Sequence, residues 1–345
     1  MDRFECDYAE GAHPKIMEAL MKTNFEQSPG YCTDSHCALA RKLIQEACSD
    51  EEAHVYFVAG GTQANVCVIS ALLRSFQGCV CVESGHINVH EAGAVEATGH
   101  KVLALKGEDG KLQAETLDSY LTSFWADPNT EHMVQPGMVY ISSPTEIGTV
   151  YSKSELEALY RVCQKFAIPL YLDGARMSYG LNAEGSDLTL KDIDQLTDVF
   201  YIGGTKVGAL FGEAIVFTRG NGLDRNFRTV IKQHCAMTAK GRLLGVQFET
   251  LFTGGLYNEI GAHAVKAAMR IRDALKAKGC RALADSPTNQ QFWYLPRAYR
   301  DALLPDFAFE CEGDVGQEEF LVRFCTSWAT TDESVDRLIK AIEAL

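Results

Sequence analysis

A largely parallel α/β sheet followed by a smaller α+β unit is the fold class predicted by three features of the chain. Between residues 53 and 218, seven short apolar runs alternate with longer stretches of helical periodicity. Several of the runs are apolar at consecutive positions, the pattern of strands covered on both faces. After Phe217 the alternation gives way to helix-rich sequence and two isolated strand-like runs. The 345 residues suffice for one large domain and one small one. The division is placed at 1–250 and 251–345, with the N-terminal segment leaning on the small domain.

The strand candidates are His54–Val58, Cys79–Glu83, Val102–Leu105, Met138–Ser142, Pro169–Asp173, Val199–Ile202 and Ala214–Phe217. Helical patterns lie between them at Gln63–Phe76, Val89–Thr98, Ala114–Phe124 and Ser154–Phe166, as crossover connections require. Ser154 heads the last of these in the capping-box order Ser-Glu-Leu-Glu. Residues 225–252 read as helix-rich, and a long helix over Asn258–Lys278 stops at Gly279. Gln291–Leu295 and Phe320–Cys325 read as strands, and Asp332–Ala344 reads as a closing helix.

Composition narrows the function classes. With 32 basic and 46 acidic residues the formal net charge is −14, a field that repels nucleic acid and anionic membranes. No apolar run approaches the length of a membrane span. The start, Met-Asp-Arg-Phe-Glu-Cys-Asp, has no apolar signal core. Twelve cysteines are scattered through apparent strands and helices without a Cys-x-x-Cys pair, which fits reduced thiols in a cytoplasmic protein better than disulfides. His86 and His90 have ligand spacing beside Glu91 but no third ligand nearby, so no metal is expected.

Two ionisable residues stand at strand ends. Asp173 closes Tyr-Leu-Asp (171–173), and Lys206 follows Val199–Ile202 and two glycines. A carboxylate and a lysine so placed suit pyridoxal phosphate: the carboxylate would keep the pyridine nitrogen protonated, and the lysine would hold the aldehyde as a Schiff base. A helix-capping aspartate and a surface lysine would also satisfy the pattern. Ala-Gly-Gly-Thr-Gln-Ala-Asn (59–65) joins a strand to a helix, where free N–H groups favour an anion. An ordinary tight turn with Thr62 as N-cap reads the same way. His86 follows a strand and would stack on a planar ring, move a proton, or simply cap. Arg176 lies three residues beyond Asp173, and Arg323 sits inside Phe-Leu-Val-Arg-Phe-Cys (320–325). That buried-looking charge calls for a partner such as a substrate carboxylate, unless the strand lies at an edge in water.

Taken together, these segments resemble the threonine aldolase and β-eliminating lyase group of fold-type-I pyridoxal-phosphate enzymes. The resemblance runs through Asp7, Gly-Ala-His-Pro (11–14), Gly-Gly-Thr-Gln-Ala-Asn (60–65), His86 with Glu91, and Thr-Glu-Ile-Gly-Thr-Val-Tyr (145–151). It continues through Leu-Asp-Gly-Ala-Arg (172–176), Gly-Gly-Thr-Lys (203–206), Lys232-Gln233 and Arg323. It implies a mostly parallel seven-stranded sheet and a homodimer or homotetramer with shared active sites. It further implies that Lys206 attaches the cofactor, Asp173 pairs with its ring nitrogen and His86 stacks on the ring. Gly61, Thr62, Gln63 and Lys232 would surround the phosphate, and Arg176 and Arg323 would bind the substrate carboxylate. Two positions depart from the family pattern: Cys6 replaces a serine near the substrate carboxylate, and Glu146 stands where relatives carry a histidine. The expected reaction is retro-aldol cleavage of threonine or allo-threonine to glycine and an aldehyde, with Glu146, His86 or water taking the hydroxyl proton. β-Elimination or transamination of another amino acid is the alternative.

Overall fold

In the computed structural model, which describes residues 1–314 and 318–345, the seven apolar runs form one sheet. Its order is His54–Val58, Glu213–Phe217, Val199–Gly203, Leu170–Asp173, Gln135–Ser142, Gln77–Val82, Lys101–Leu105. All strands run parallel except Glu213–Phe217, which is antiparallel to both neighbours. The link before it, residues 204–212, is too short for a parallel crossover, so the chain must turn back. That reversal matters for the site. It brings the first residue of this strand, Glu213, to the edge where the parallel strands end.

Consecutive apolar residues serve opposite faces. Val139, Ile141, Leu170, Leu172, Phe200 and Ile202 pack into the cluster on one side. Met138, Tyr140, Tyr171, Val199 and Tyr201 pack into the cluster on the other. Each fully buried Leu, Ile or Phe contributes roughly 1.5–3 kcal/mol, so register is strongly fixed on both faces.

Helix assignments differ from expectation in several places, most clearly in two of the expected crossover helices. The pattern over Val89–Thr98 forms only a short helix, His86–Val89, and a 3-10 turn at Glu96–Thr98. Ala92 and Gly93 take positive φ angles of 53° and 74° between them and break the helical path. The cap expected at Ser154 is Ser152. The helix is Lys153–Lys165, with Ser152 Oγ accepting from Glu155 N at 3.2 Å and Ser152 N donating to Glu155 Oε2 at 2.8 Å. The box is therefore Ser-Lys-Ser-Glu, and Ser154 falls within the first turn. The helices Pro14–Lys22 and Ser35–Cys48 have no counterpart in the sequence reading.

The second sheet is antiparallel, in the order Glu310–Asp314, Glu319–Cys325, Gln290–Pro296, Arg281–Ala282. Its core includes Trp293, Val322 and Phe324, covered by helix Asp332–Ala344. Helix Leu256–Ala277 spans both units: Leu256 to Val265 face the large-sheet cluster, and Ala267 to Leu275 face the small one. Phe4 also packs with the small sheet's core, and Asp2–Arg3 pair in parallel with Phe307–Ala308.

Candidate active site

The carboxyl ends of the parallel strands open into a cavity of about 340 Å³. Gly60, Gly61, Thr62, His86, Glu146, Asp173, Arg176, Lys206 and Glu213 all line it. One wall is the start of helix Gly61–Leu72, whose N-cap residue, Gly60, is extended and offers no side-chain cap. The first-turn N–H groups are thus left for an anion, aided by the helix dipole. The turn expectation with Thr62 as N-cap does not hold, because Thr62 lies inside the first turn.

Asp173 ends its strand with three donors converging on it. Oδ2 accepts from Tyr140 Oη at 2.7 Å and Asn65 Nδ2 at 3.1 Å, and Oδ1 accepts from Ala175 N at 3.0 Å. Gly174 and Gly203 let the adjacent strand ends approach. A Cβ on Gly174 would lie 2.1 Å from the Tyr201 carbonyl, and one on Gly203 2.2 Å from that of Ala175. No larger residue fits at either position without moving backbone.

Lys206 stands in the cavity wall, on a loop fastened by the buried Glu213. Glu213 Oε2 accepts from Gly204 N at 3.0 Å and Oε1 from Thr205 Oγ1 at 2.7 Å. Burial pushes the Glu213 carboxyl up to about 7. Burial also lowers the Lys206 pKa, with Arg176 adding to the effect against the pull of Asp7, Asp173 and Glu213. The neutral amine is the form that attacks a carbonyl, and burial makes it easier to reach. Lys206 Nζ lies 6.0 Å from the ring centre of Tyr8.

His86 opens its short helix at the cavity rim, with Nδ1 2.7 Å from Glu91 Oε1. Burial disfavours the imidazolium, but the Glu91 bond and the charge of Asp173 outweigh it and raise the pKa. Glu91 is buried beside it and also accepts from Asn65 Nδ2 at 2.6 Å. Glu146 Oε1 accepts from His86 N at 2.9 Å and contacts Ser142 Oγ at 2.6 Å. Burial raises the Glu146 carboxyl above its ordinary range.

Arg176 lines the cavity but is held by Asp7, through Nε to Oδ2 at 2.7 Å and Nη2 to Oδ1 at 3.0 Å. Four expected site residues lie outside the cavity wall. Lys232 is exposed, its Nζ 5.2 Å from the Tyr31 ring centre. Gln63 and Cys6 are half-buried. Arg323 binds the Glu310 carboxylate on the neighbouring strand, Glu5 O at 3.0 Å and Gln290 Oε1 at 3.4 Å. The charge inside its apolar strand is thus met by the chain's own acceptors.

Asn65, Ser142, Tyr140, Tyr201 and Glu213 were not singled out by sequence. The one available signal was polarity out of place: an asparagine inside an apolar helix and a glutamate opening a buried strand. Among the described residues no group of three His, Cys, Asp or Glu side chains is arranged to hold a metal, and all twelve cysteines are free thiols. No described helix is long and apolar enough to cross a membrane.

A lysine, a carboxylate fed by three donors, an imidazole and an uncapped helix start meet at the carboxyl edge of this sheet. Together they suit pyridoxal phosphate, and with the family and relatives that the chain matches they make it a pyridoxal-phosphate-dependent lyase of fold type I. The sequence pattern of the beta-eliminating lyase family matches residues 6–287, and the chain belongs to that family. It is 29% identical over 357 residues to a low specificity L-threonine aldolase of Pseudomonas sp. (strain NCIMB 10558), covering 99% of this chain and 97% of the relative. The solved structure of Leishmania major threonine aldolase superposes with a TM-score of 0.96 at 41% identity, over 100% of this chain and 99% of that one. Sphingomonas wittichii serine palmitoyltransferase shares the fold at 15% identity, with a TM-score of 0.74 over 99% of this chain and 86% of its own.

Proposed function

We propose that this chain binds pyridoxal phosphate and cleaves threonine or allo-threonine between Cα and Cβ to give glycine and acetaldehyde. The observation that carries this reading is the meeting of Lys206 and Asp173 in one cavity, in a chain similar over its whole length to threonine aldolases. The donor set fits the cofactor. Uncapped N–H groups at Gly61, Thr62 and Gln63 suit a phosphate dianion, Asp173 suits a ring N–H, and the His86 imidazole suits a planar face. When bound, pyridoxal phosphate supplies an electron sink for the pair released from the Cα–Cβ bond.

The chain's own groups do the rest. Lys206 would hold the cofactor through its aldehyde, and Asp173 would face its ring nitrogen and favour the protonated form. Arg176, oriented by Asp7, presents Nη1 to the substrate carboxylate, the one guanidinium nitrogen outside that pair. Arg323, whose Nη2 donates to Glu5 O at 3.0 Å, and Cys6 lie by the N-terminal segment that carries Asp7 and are proposed as further contacts of the substrate carboxylate. His86, Glu146 or a bound water receives the β-hydroxyl proton. Lys232, exposed on its own chain, fits a homodimer or homotetramer in which one copy completes the phosphate site of another. The free, mostly buried thiols fit a reducing compartment such as the cytoplasm.

β-Elimination or transamination of another amino acid is the second reading, favoured by the family's description. Product analysis with L-threonine and L-allo-threonine separates the two. Glycine and acetaldehyde in equal amounts are expected; keto acid and ammonia alone would overturn the aldolase reading.

A further inference from the structure

We propose that Ser142 and Tyr140 form a proton wire joining Glu146 to Asp173, and that the proton shared by these two carboxyls resides on Glu146. Its catalytic consequence rests on the function proposed above; the wire itself is a property of the chain. Four oxygens lie in line. Glu146 Oε1 is 2.6 Å from Ser142 Oγ, which is 3.1 Å from Tyr140 Oη, which is 2.7 Å from Asp173 Oδ2.

Three contacts need three protons, and the two hydroxyls carry only two. Both Asp173 oxygens have donors, Asn65 Nδ2 and Ala175 N besides Tyr140, whereas Glu146 accepts from His86 N on Oε1 alone and its Oε2 is buried without a partner, so Asp173 is the accepting end. Tyr140 therefore donates to Asp173 and can only accept from Ser142. That uses the Ser142 proton, and the short contact to Glu146 is closed by a proton on Glu146. With Glu146 ionised, Ser142 would turn toward it and leave the buried Tyr140 oxygen facing the half-buried Ser142 oxygen at 3.1 Å without a proton between them. An unmade buried bond of this kind costs about 1–3 kcal/mol.

The surroundings of Glu146 point the same way. Its Oε2 is buried without a hydrogen-bond partner. Among the titratable groups whose charge acts on it are Asp173, Cys81, Tyr140 and Tyr151; Lys206, Arg176 and the His86 ring line the same cavity, and His86 also donates to it through the backbone N–H. Burial favours the neutral carboxyl.

A proton leaving Glu146 bonds to Ser142 Oγ as the Ser142 proton passes to Tyr140 and the Tyr140 proton to Asp173. One negative charge moves the opposite way, and no atom is gained or lost. At rest Glu146 is then an acid, Asp173 keeps its full charge, and the substrate hydroxyl proton goes to His86 or water.

Infrared spectra of the pyridoxal-phosphate-loaded protein, subtracted from those of Glu146→Gln across pH, read this proton directly. A protonated-carboxyl stretch present at neutral pH and lost in Glu146→Gln is expected; its absence overturns the proposal. In Tyr140→Phe, Ser142 is released to donate to Glu146, so the titration midpoint of that band falls by about one pH unit or more. An unchanged midpoint overturns the wire, because the charge of Asp173 is still in place. Should circular dichroism show Tyr140→Phe unfolded, Ser142→Ala decides. There the band moves to higher frequency, since the Glu146 O–H loses its acceptor; an unmoved band overturns the wire. These readouts need no turnover, so a protein with the band but no threonine cleavage keeps the wire and loses the function.

Discussion

Arg176 and Asp7 form a two-bond ion pair at 2.7 and 3.0 Å, between a strand-end loop and the N-terminal segment. The Asp7 side chain is fully buried and that of Arg176 nearly so. Burial works against both charges, but each holds the other ionised, and the Asp7 carboxyl stays below its usual range. Asn289 Nδ2 adds a bond to Asp7 Oδ2 at 2.9 Å and ties the pair to the small sheet's side of the molecule. The pair thus aims Arg176 before any substrate arrives.

Removing one partner strands the other. Asp7→Ala should cost about 3–5 kcal/mol of stability, measured by urea unfolding, because it leaves a buried guanidinium unpaired. Asp7→Asn, which keeps one acceptor, should cost less and raise KM more than it lowers kcat. Equal stability of Asp7→Ala and the parent chain would contradict this assignment.

The buried Glu213 gives stability a definite pH dependence. Its folded-state pKa of about 7 lies above the ordinary 4.5, so its contribution is fully present below pH 4.5 and lost as pH rises toward 7. The loss amounts to roughly 3 kcal/mol. Glu213→Gln should flatten the fall in Tm across that window, and an unaltered slope would place the titrating group elsewhere.

His86 carries a test of the same sign through Glu91. Its raised pKa means that the imidazolium stabilises the fold below the unfolded value near 6.5, and that this stabilisation is lost as pH climbs through the folded value. Glu91→Gln removes the charge and leaves at most a neutral, weaker bond to Nδ1. The NMR titration midpoint of His86 should fall in that variant. A midpoint that stays put would remove Glu91 as the cause.

How much of this was legible beforehand follows from what sequence encodes. The seven strands, the long helix over most of Leu256–Ala277 and the closing helix Asp332–Ala344 were readable because apolar runs and breaker residues mark them directly. The reversed direction of Glu213–Phe217 was not, since direction is set by the length of the preceding link rather than by the strand's own residues. Lys206, Asp173, His86, Glu146 and Arg176 meet in one cavity because each ends or follows a strand at the same edge. Glu213 escaped notice for the complementary reason, as among the described residues it begins the one strand of the large sheet that enters from that edge. Asn65 and Tyr140 look like helix and strand interior, and only their hydrogen bonds across the sheet reveal them. The internal pairing of Arg176 and Arg323 depends on chain segments far away in sequence, which no local pattern reports.

Attachment of the cofactor at Lys206 is the claim on which the account stands. Reducing the pyridoxal-phosphate-loaded protein with borohydride, digesting it and sequencing the modified peptide by mass spectrometry tests it most directly. The predicted result is a single stable pyridoxyl group on Lys206, absent in Lys206→Ala, whose activity falls by on the order of 10³-fold or more. A pyridoxyl group on another lysine, or on none, would contradict it.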